Sequence, residues 1–131
     1  DDTVLSNIVF GQKENEIDYK KIEKILRMVD LSDFVNNLKN GLNSYLGDKG
    51  KNISGGQAQR ISLARALYYD SEILILDEFS NQLDEETEKN ILMIIKNLKK
   101  LKTIIIVSHK KDVTNICDEV YEIDNKKLKK I

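Results

Sequence analysis

The sequence predicts an α/β fold: a helical lobe, then buried and mainly parallel strands with flanking helices, then a closing hairpin. Three observations carry this. Ile22, Ile25, Leu26 and Val29 recur at i, i+3, i+4 and i+7, one apolar face of a helix. Two apolar runs, Ile73-Leu74-Ile75-Leu76 and Thr103-Ile104-Ile105-Ile106-Val107, are bounded by polar residues and read as strands buried on both faces, the usual state of parallel strands. Between them Ile91, Ile94, Ile95 and Leu98 return to a helical period, which supplies a crossover. The helical lobe is assigned to residues 1–71 and the α/β portion to 72–131.

The elements follow in order. Thr3 to Gly11 is an apolar opening that should pack on the next helices. Asp18 is placed to cap the helix of the first stripe. Ser32 can cap a shorter helix carrying Phe34, Val35 and Leu38, with Gly41 as its stop. Residues 41–52 read as a loop. Ser54 and Gln57 form a Ser-x-x-Gln capping box that starts a helix running from Gly55 to about Tyr69. Arg60 and Arg65 on this helix should bind carboxylates or helix ends nearby, and Tyr68 and Tyr69 should belong to the core or its rim. Asp84 can cap the next helix. Glu85, Glu86 and Glu88 crowd its start and Lys96, Lys99 and Lys100 its end, which suits the helix dipole and reads as a solvated face. Lys111 to Cys117 should be a short helix with Val113 and Ile116 facing inward. Residues 120–123, a turn at Asp124-Asn125 and residues 127–131 read as a hairpin.

Composition narrows the function. The 131 residues are one domain's worth at most. A net charge of -1 with 33% charged residues gives no basic field for nucleic acid. Cys117 is the only cysteine, so no internal disulfide can form and a reducing compartment fits. No apolar run exceeds Ile91 to Ile95, far short of a bilayer span.

Two stretches carry chemistry. Gly55 and Gly56 lie in the first helical turn after Ser54, where amide donors lack a partner inside the helix and the dipole is positive. That arrangement attracts phosphate; taken alone it reads equally well as an ordinary cap after a loop. Asp77 and Glu78 end the first strand, where open α/β sheets bind ligands. An Asp there can hold Mg²⁺, and an adjacent Glu can polarise an attacking water.

Ile53-Ser54-Gly55-Gly56-Gln57 resembles the signature motif of ABC-type ATPases, with Ile for the usual Leu. Ile73 to Asp77 is similar to their Walker B strand, Glu78 to their catalytic glutamate, and Ser108-His109 to their switch histidine. Asn81-Gln82-Leu83-Asp84 is similar to the D-loop, departing at its first two positions. Thr3 to Gly11 and Gly47-Asp48-Lys49-Gly50 resemble segments of the exporter branch, the second touching the transmembrane part, with Asp48 in place of a Glu.

The resemblance implies an ATP-hydrolysing domain at the cytoplasmic face of a membrane, with ATP and Mg²⁺ as cofactors. It implies a partner, a second nucleotide-binding domain packed head to tail, and a transmembrane domain met through Gly47 to Gly50. Ser54, Gly55, Gly56 and Gln57 would meet the partner's ATP. Asp77 would help hold Mg²⁺, Glu78 would activate water, His109 would bind the γ-phosphate, and Asn81, Leu83 and Asp84 would link the two sites. No Gly-x-x-x-x-Gly-Lys-Ser/Thr loop occurs in the 131 residues. The chain is therefore expected to be the C-terminal portion of such a domain, inactive alone, with a sheet that lacks a neighbour beside residues 73–76. A non-transporting ABC ATPase and a regulatory module that keeps only the signature remain open alternatives.

Overall fold

The computed structural model describes residues 2–47, 53–80 and 83–131. Among these the first half is helical. α1 (Val4–Ile8), α2 (Tyr19–Met28) and α3 (Ser32–Asn37) precede a long α4 (Gly55–Tyr68). Then come β1 (Ile73–Asp77), α5 (Glu85–Leu98), β2 (Thr103–Val107), α6 (Lys111–Thr114) and a hairpin of β3 (Tyr121–Asp124) and β4 (Lys127–Lys130).

Local chemistry accounts for most helix starts. Thr3 caps α1 by accepting the Ser6 amide, and Asp18 caps α2 by accepting from Lys21. The α2 stripe is buried at Ile22, Ile25 and Leu26. Ser32 does not cap α3; it is the first helical residue and Leu31 holds the cap position without a side-chain bond. Leu31 is instead fully buried, so packing fixes this helix start rather than a hydroxyl. Helix α3 ends at Asn37, and Gly41, with φ of 52°, opens a separate 3-10 turn over Gly41–Asn43.

Polar ties fix α4 to the helices before it. The Arg65 Nε donates to the Asn7 carbonyl at 2.6 Å and its guanidinium reaches the Asn7 side chain at 3.2 Å. Arg60 binds the Asp30 carboxylate at 3.3 Å and the Asp30 carbonyl at 3.2 Å. The buried Tyr68 accepts the Asp18 amide through its hydroxyl, and the Tyr69 hydroxyl donates to the Phe10 carbonyl. Both arginines thus bind a carboxylate or a helix end, and Tyr68 lies in the core with Tyr69 at its rim, as the sequence suggested.

β1 and β2 pair in parallel, Ile73 with Thr103 through to Asp77 with Val107. The apolar runs read as doubly buried strands, and this is corrected by the structure. Leu74 is buried and Leu76, Ile104 and Ile106 are partly covered, on the side packed against α4 and α5. The alternate residues stand open: Ile75 is 70% exposed, Ile73 55% and Ile105 50%. The physical reason is that these helices form a single layer, whereas a strand buried twice needs a layer on each face. The C-terminal hairpin forms as expected, but its turn falls one residue later, at Asn125-Lys126, both at positive φ, with Asp124 the last residue of the strand; this is a tight turn matched to strand twist.

An open apolar sheet face in water promotes association. The 131-residue chain is expected to self-associate at high concentration, and Ile75→Lys combined with Ile105→Lys is expected to return it to a single-chain mass. Light scattering checks this; a monodisperse monomer of the parental chain would contradict it.

Candidate functional site

Two groupings of residues stand where the fold places its functional ends. The first is the start of α4. Ser54 Oγ accepts the Gln57 amide at 3.2 Å, and Gln57 Oε1 accepts the Ser54 amide at 2.9 Å, the complete reciprocal capping box. The helix offers no acceptor for the amides of Gly55 and Gly56, which leaves its first turn an anion-attracting end.

Gly55 is exposed, but Gly56 is buried. What approaches Gly56 is the Thr87 side chain of α5: a Cβ at position 56 would overlap the Thr87 methyl. Thr87 in turn is held by Asp84, whose carboxylate accepts its amide at 2.9 Å and its hydroxyl at 2.7 Å. Those two bonds to Thr87 set the Asp84 carboxyl below the ordinary carboxylate range. The signature-like turn and the start of α5 are therefore in direct contact. Sequence reading found Asp84 as a cap but missed Thr87; its place at N3 after an Asp cap was the available signal.

The second grouping lies at the C-terminal edge of the parallel pair. Asp77 is the last residue of β1 and is exposed. Glu78 follows with φ of 44°, a left-handed conformation that side chains other than glycine rarely adopt. Its amide donates to the Val107 carbonyl at 2.9 Å, which carries the strand pairing one step further. His109, two residues past β2, brings Nε2 to 3.3 Å from Glu78 Oε1 while its side chain stays 90% exposed. A carboxylate and an imidazole, 31 positions apart in the chain, thus share one solvent-facing edge. Beyond Glu78, Phe79 is buried beside Leu63, Leu76 and Ile91.

The acidic start of α5 is a solvated face at Glu85 and Glu86, as expected from the sequence, but not at Glu88. Glu85 pairs outward with Lys89 at 2.5 Å, but Glu88 turns inward, with 14% of its side chain exposed, and meets Lys110 Nζ at 2.7 Å. At the other end Lys99 leaves the solvated face as well, reaching the Ile116 carbonyl at 3.0 Å and Asp118 at 2.7 Å. Helical position decides this: Glu88 lies one turn beyond Asp84, on the face toward the loop after β2.

Leu83 packs against the core. Asn81, Gln82 and residues 48–50 of the exporter-like turn lie outside the described residues; Gly47 is described, with φ of 76°. No cluster of three metal-binding side chains exists among the described residues. Asp77 offers a single exposed carboxylate, which fits a Mg²⁺ ion bound chiefly through phosphate and water.

Residues 2–81, which include the α4 start and the Asp77-Glu78 pair, match the family model for the ABC transporter. This chain belongs to the ABC transporter family. Its relatives include the ATP-dependent lipid A-core flippases of Salmonella typhimurium, 40% identical, and Cupriavidus pinatubonensis, 37% identical, each over 95% of the chain. The chain spans about a fifth of the length of these relatives, 21% in both cases. The fold is similar to a bacterial Atm1-family ABC exporter with ATP bound, with a TM-score of 0.80 and 28% identity, over 97% of this chain and 22% of that one. Both likenesses reach past residue 81 into the segment with His109, and both lie within the exporter branch. No described helix of this ABC chain is long and apolar enough to cross a membrane.

Proposed function

We propose that this chain forms part of the ATP-hydrolysing domain of an ABC exporter and works only when two such domains close on each other. The observation that carries this is the Glu78–His109 approach at the C-terminal edge of a parallel pair, reached through a left-handed Glu78. Glu78 would activate water against the γ-phosphate, and His109, 3.3 Å from the same carboxylate, would bind that phosphate. Asp77 would help hold Mg²⁺, which would neutralise charge on the phosphates. Ser54, Gly55 and Gly56 present the first-turn amides of α4 to the ATP of the partner domain, with Gln57 closing the cap that keeps this turn in shape. Asn81, Leu83 and Asp84 would link the two ATP sites of the closed pair. The Gly47 to Gly50 turn meets the transmembrane part, so residues 1–71 act as the lobe that transmits closure and 72–131 as part of the catalytic core, at the cytoplasmic face of the membrane.

The decisive experiment follows ATP-driven closure. In the natural polypeptide that carries this chain, spin labels at Ser62→Cys, in a Cys117→Ser background, are expected to approach those of the partner domain when Mg-ATP is added. They are expected to separate again as phosphate is released. ATP-independent distances, or no hydrolysis, overturn the reading.

A further inference from the structure

We propose that Lys110 and Glu88 are positioning residues for ATP hydrolysis, a clasp that holds the Glu78 segment and the His109 turn in one geometry. The proposal rests on the reading of Glu78 and His109 just given and adds residues which that reading does not use.

Glu78 needs holding. Its φ of 44° is disfavoured for a residue with a Cβ, and such conformations persist only where surroundings impose them. Two restraints are local: the bond from its amide to Val107, and burial of Phe79. The third comes from a distance. Ser80 is 1% exposed, and its carbonyl accepts from Lys110 Nζ at 3.1 Å. The same ammonium donates to Glu88 Oε2 at 2.7 Å. One lysine head thus fastens the chain two residues past Glu78 to α5.

His109 needs holding as well. Its ring is almost wholly exposed, so packing does not fix it. Its backbone is fixed, because the Lys110 amide donates to Ser108 Oγ at 3.0 Å and closes a short turn with His109 at the middle. Lys110 therefore belongs to both arms: its backbone shapes the histidine turn and its side chain ties down the glutamate segment. If the side chain lets go, each arm can still fold, but the distance between them is no longer set.

An ordinary surface ion pair contributes little and would merit no role. This one differs in burial, since Glu88 keeps only 14% of its side chain in water and Lys110 37%. The Lys110 bond, outweighing burial and helped by the Ser80 hydroxyl, holds the Glu88 carboxyl below its ordinary range, so the clasp stays charged at neutral pH. Its value lies in geometry: a misplacement of about 1 Å in a catalytic constellation can cost about a hundredfold in rate.

The test uses the natural polypeptide that carries this chain. Lys110→Met and Glu88→Gln should each lower kcat for ATP by about ten- to a hundredfold, with KM and nucleotide affinity within about twofold of parental. Lys110→Arg keeps donors for both acceptors and should recover most of the rate. In Lys110→Met, hydrogen exchange at the Glu78 amide should accelerate at least tenfold relative to the β1 amides. Unchanged kcat in Lys110→Met, a KM that rises in step with the loss, or failure of Lys110→Arg to rescue would each overturn the proposal. If the parental protein does not hydrolyse ATP, the function reading fails separately; unchanged exchange at Glu78 would then overturn the clasp, and accelerated exchange would uphold it.

Discussion

Glu78→Gln in the natural polypeptide is expected to reduce ATP turnover by about 10²–10⁴-fold, the usual scale for a lost general base, while ATP binding and Mg-ATP-driven pairing persist. The two side chains have the same shape, and the amide oxygen of Gln can still accept from His109 Nε2, which lies 3.3 Å from Glu78 Oε1. The left-handed backbone, the bond to Val107 and the burial of Phe79 do not depend on the charge. What disappears is the carboxylate that orients and deprotonates water. Closure should therefore proceed and the next step should not, so uncleaved ATP accumulates in the closed pair. Chemical-quench measurement of bound ATP against released phosphate decides the matter. Hydrolysis at the parental rate would remove Glu78 from its assigned role, and loss of ATP binding together with hydrolysis would show that the carboxylate shapes the site rather than reacting in it.

The contrast with His109 sharpens this result. His109 is held to the site by its backbone turn and by one contact to Glu78. Truncation there removes a group assigned to phosphate, so binding and turnover should weaken together. Two residues in contact would then give opposite binding phenotypes, an outcome general destabilisation cannot produce.

How much of this was legible follows from how far each feature reaches along the chain. The α2 stripe, the Asp18 and Asp84 caps and the Ser54–Gln57 box each depend on residues within about one turn of one another, and each appears as the local pattern dictates; the hairpin forms too, with its turn one residue later than that pattern placed it. The cap at Ser32 failed because the rule sees a hydroxyl and not the buried Leu31 beside it. The strands failed in their coverage, since apolarity reports what a strand can bury and not how many layers arrive to cover it. Glu88 failed for a related reason: dipole reasoning treats first-turn carboxylates alike, but its partner Lys110 lies 22 positions away across a crossover. The adjacency of Glu78 and His109 followed from placing both past the ends of two parallel strands, and the likeness to a family named their roles; the local pattern of neither strand end names the other.

The glycine at position 56 shows the same limit and gives the second large effect. Sequence reading assigns Gly56 to phosphate approach, yet in the folded chain its open side is already filled by the Thr87 methyl. Gly56→Ala is expected to destabilise the chain by about 1–3 kcal/mol, the scale of overpacking in a well-packed contact. The overlap is not relieved by a simple rotation of Thr87, because its hydroxyl is bound to Asp84 at 2.7 Å, and turning the methyl away breaks that bond at the start of α5. Thr87→Ser removes the methyl and keeps the hydroxyl. Alone it should cost about 0.5–1.5 kcal/mol, as for loss of one buried methyl group. Combined with Gly56→Ala it should bring stability back to within about 0.5 kcal/mol of parental, because the alanine methyl then occupies the space the threonine methyl left. The cycle would thus report a favourable coupling of about 1.5–4.5 kcal/mol, as large as the two single costs together, of the kind that residues in contact display. Urea unfolding of the 131-residue chain at low micromolar concentration measures all four variants. A double variant as unstable as Gly56→Ala alone would mean that the two methyls do not compete. Recovery of stability by the double variant opens a cleaner question about catalysis. Any ATPase defect that then remains belongs to the first-turn amides of α4 and what they bind, and no longer to the packing of α4 on α5.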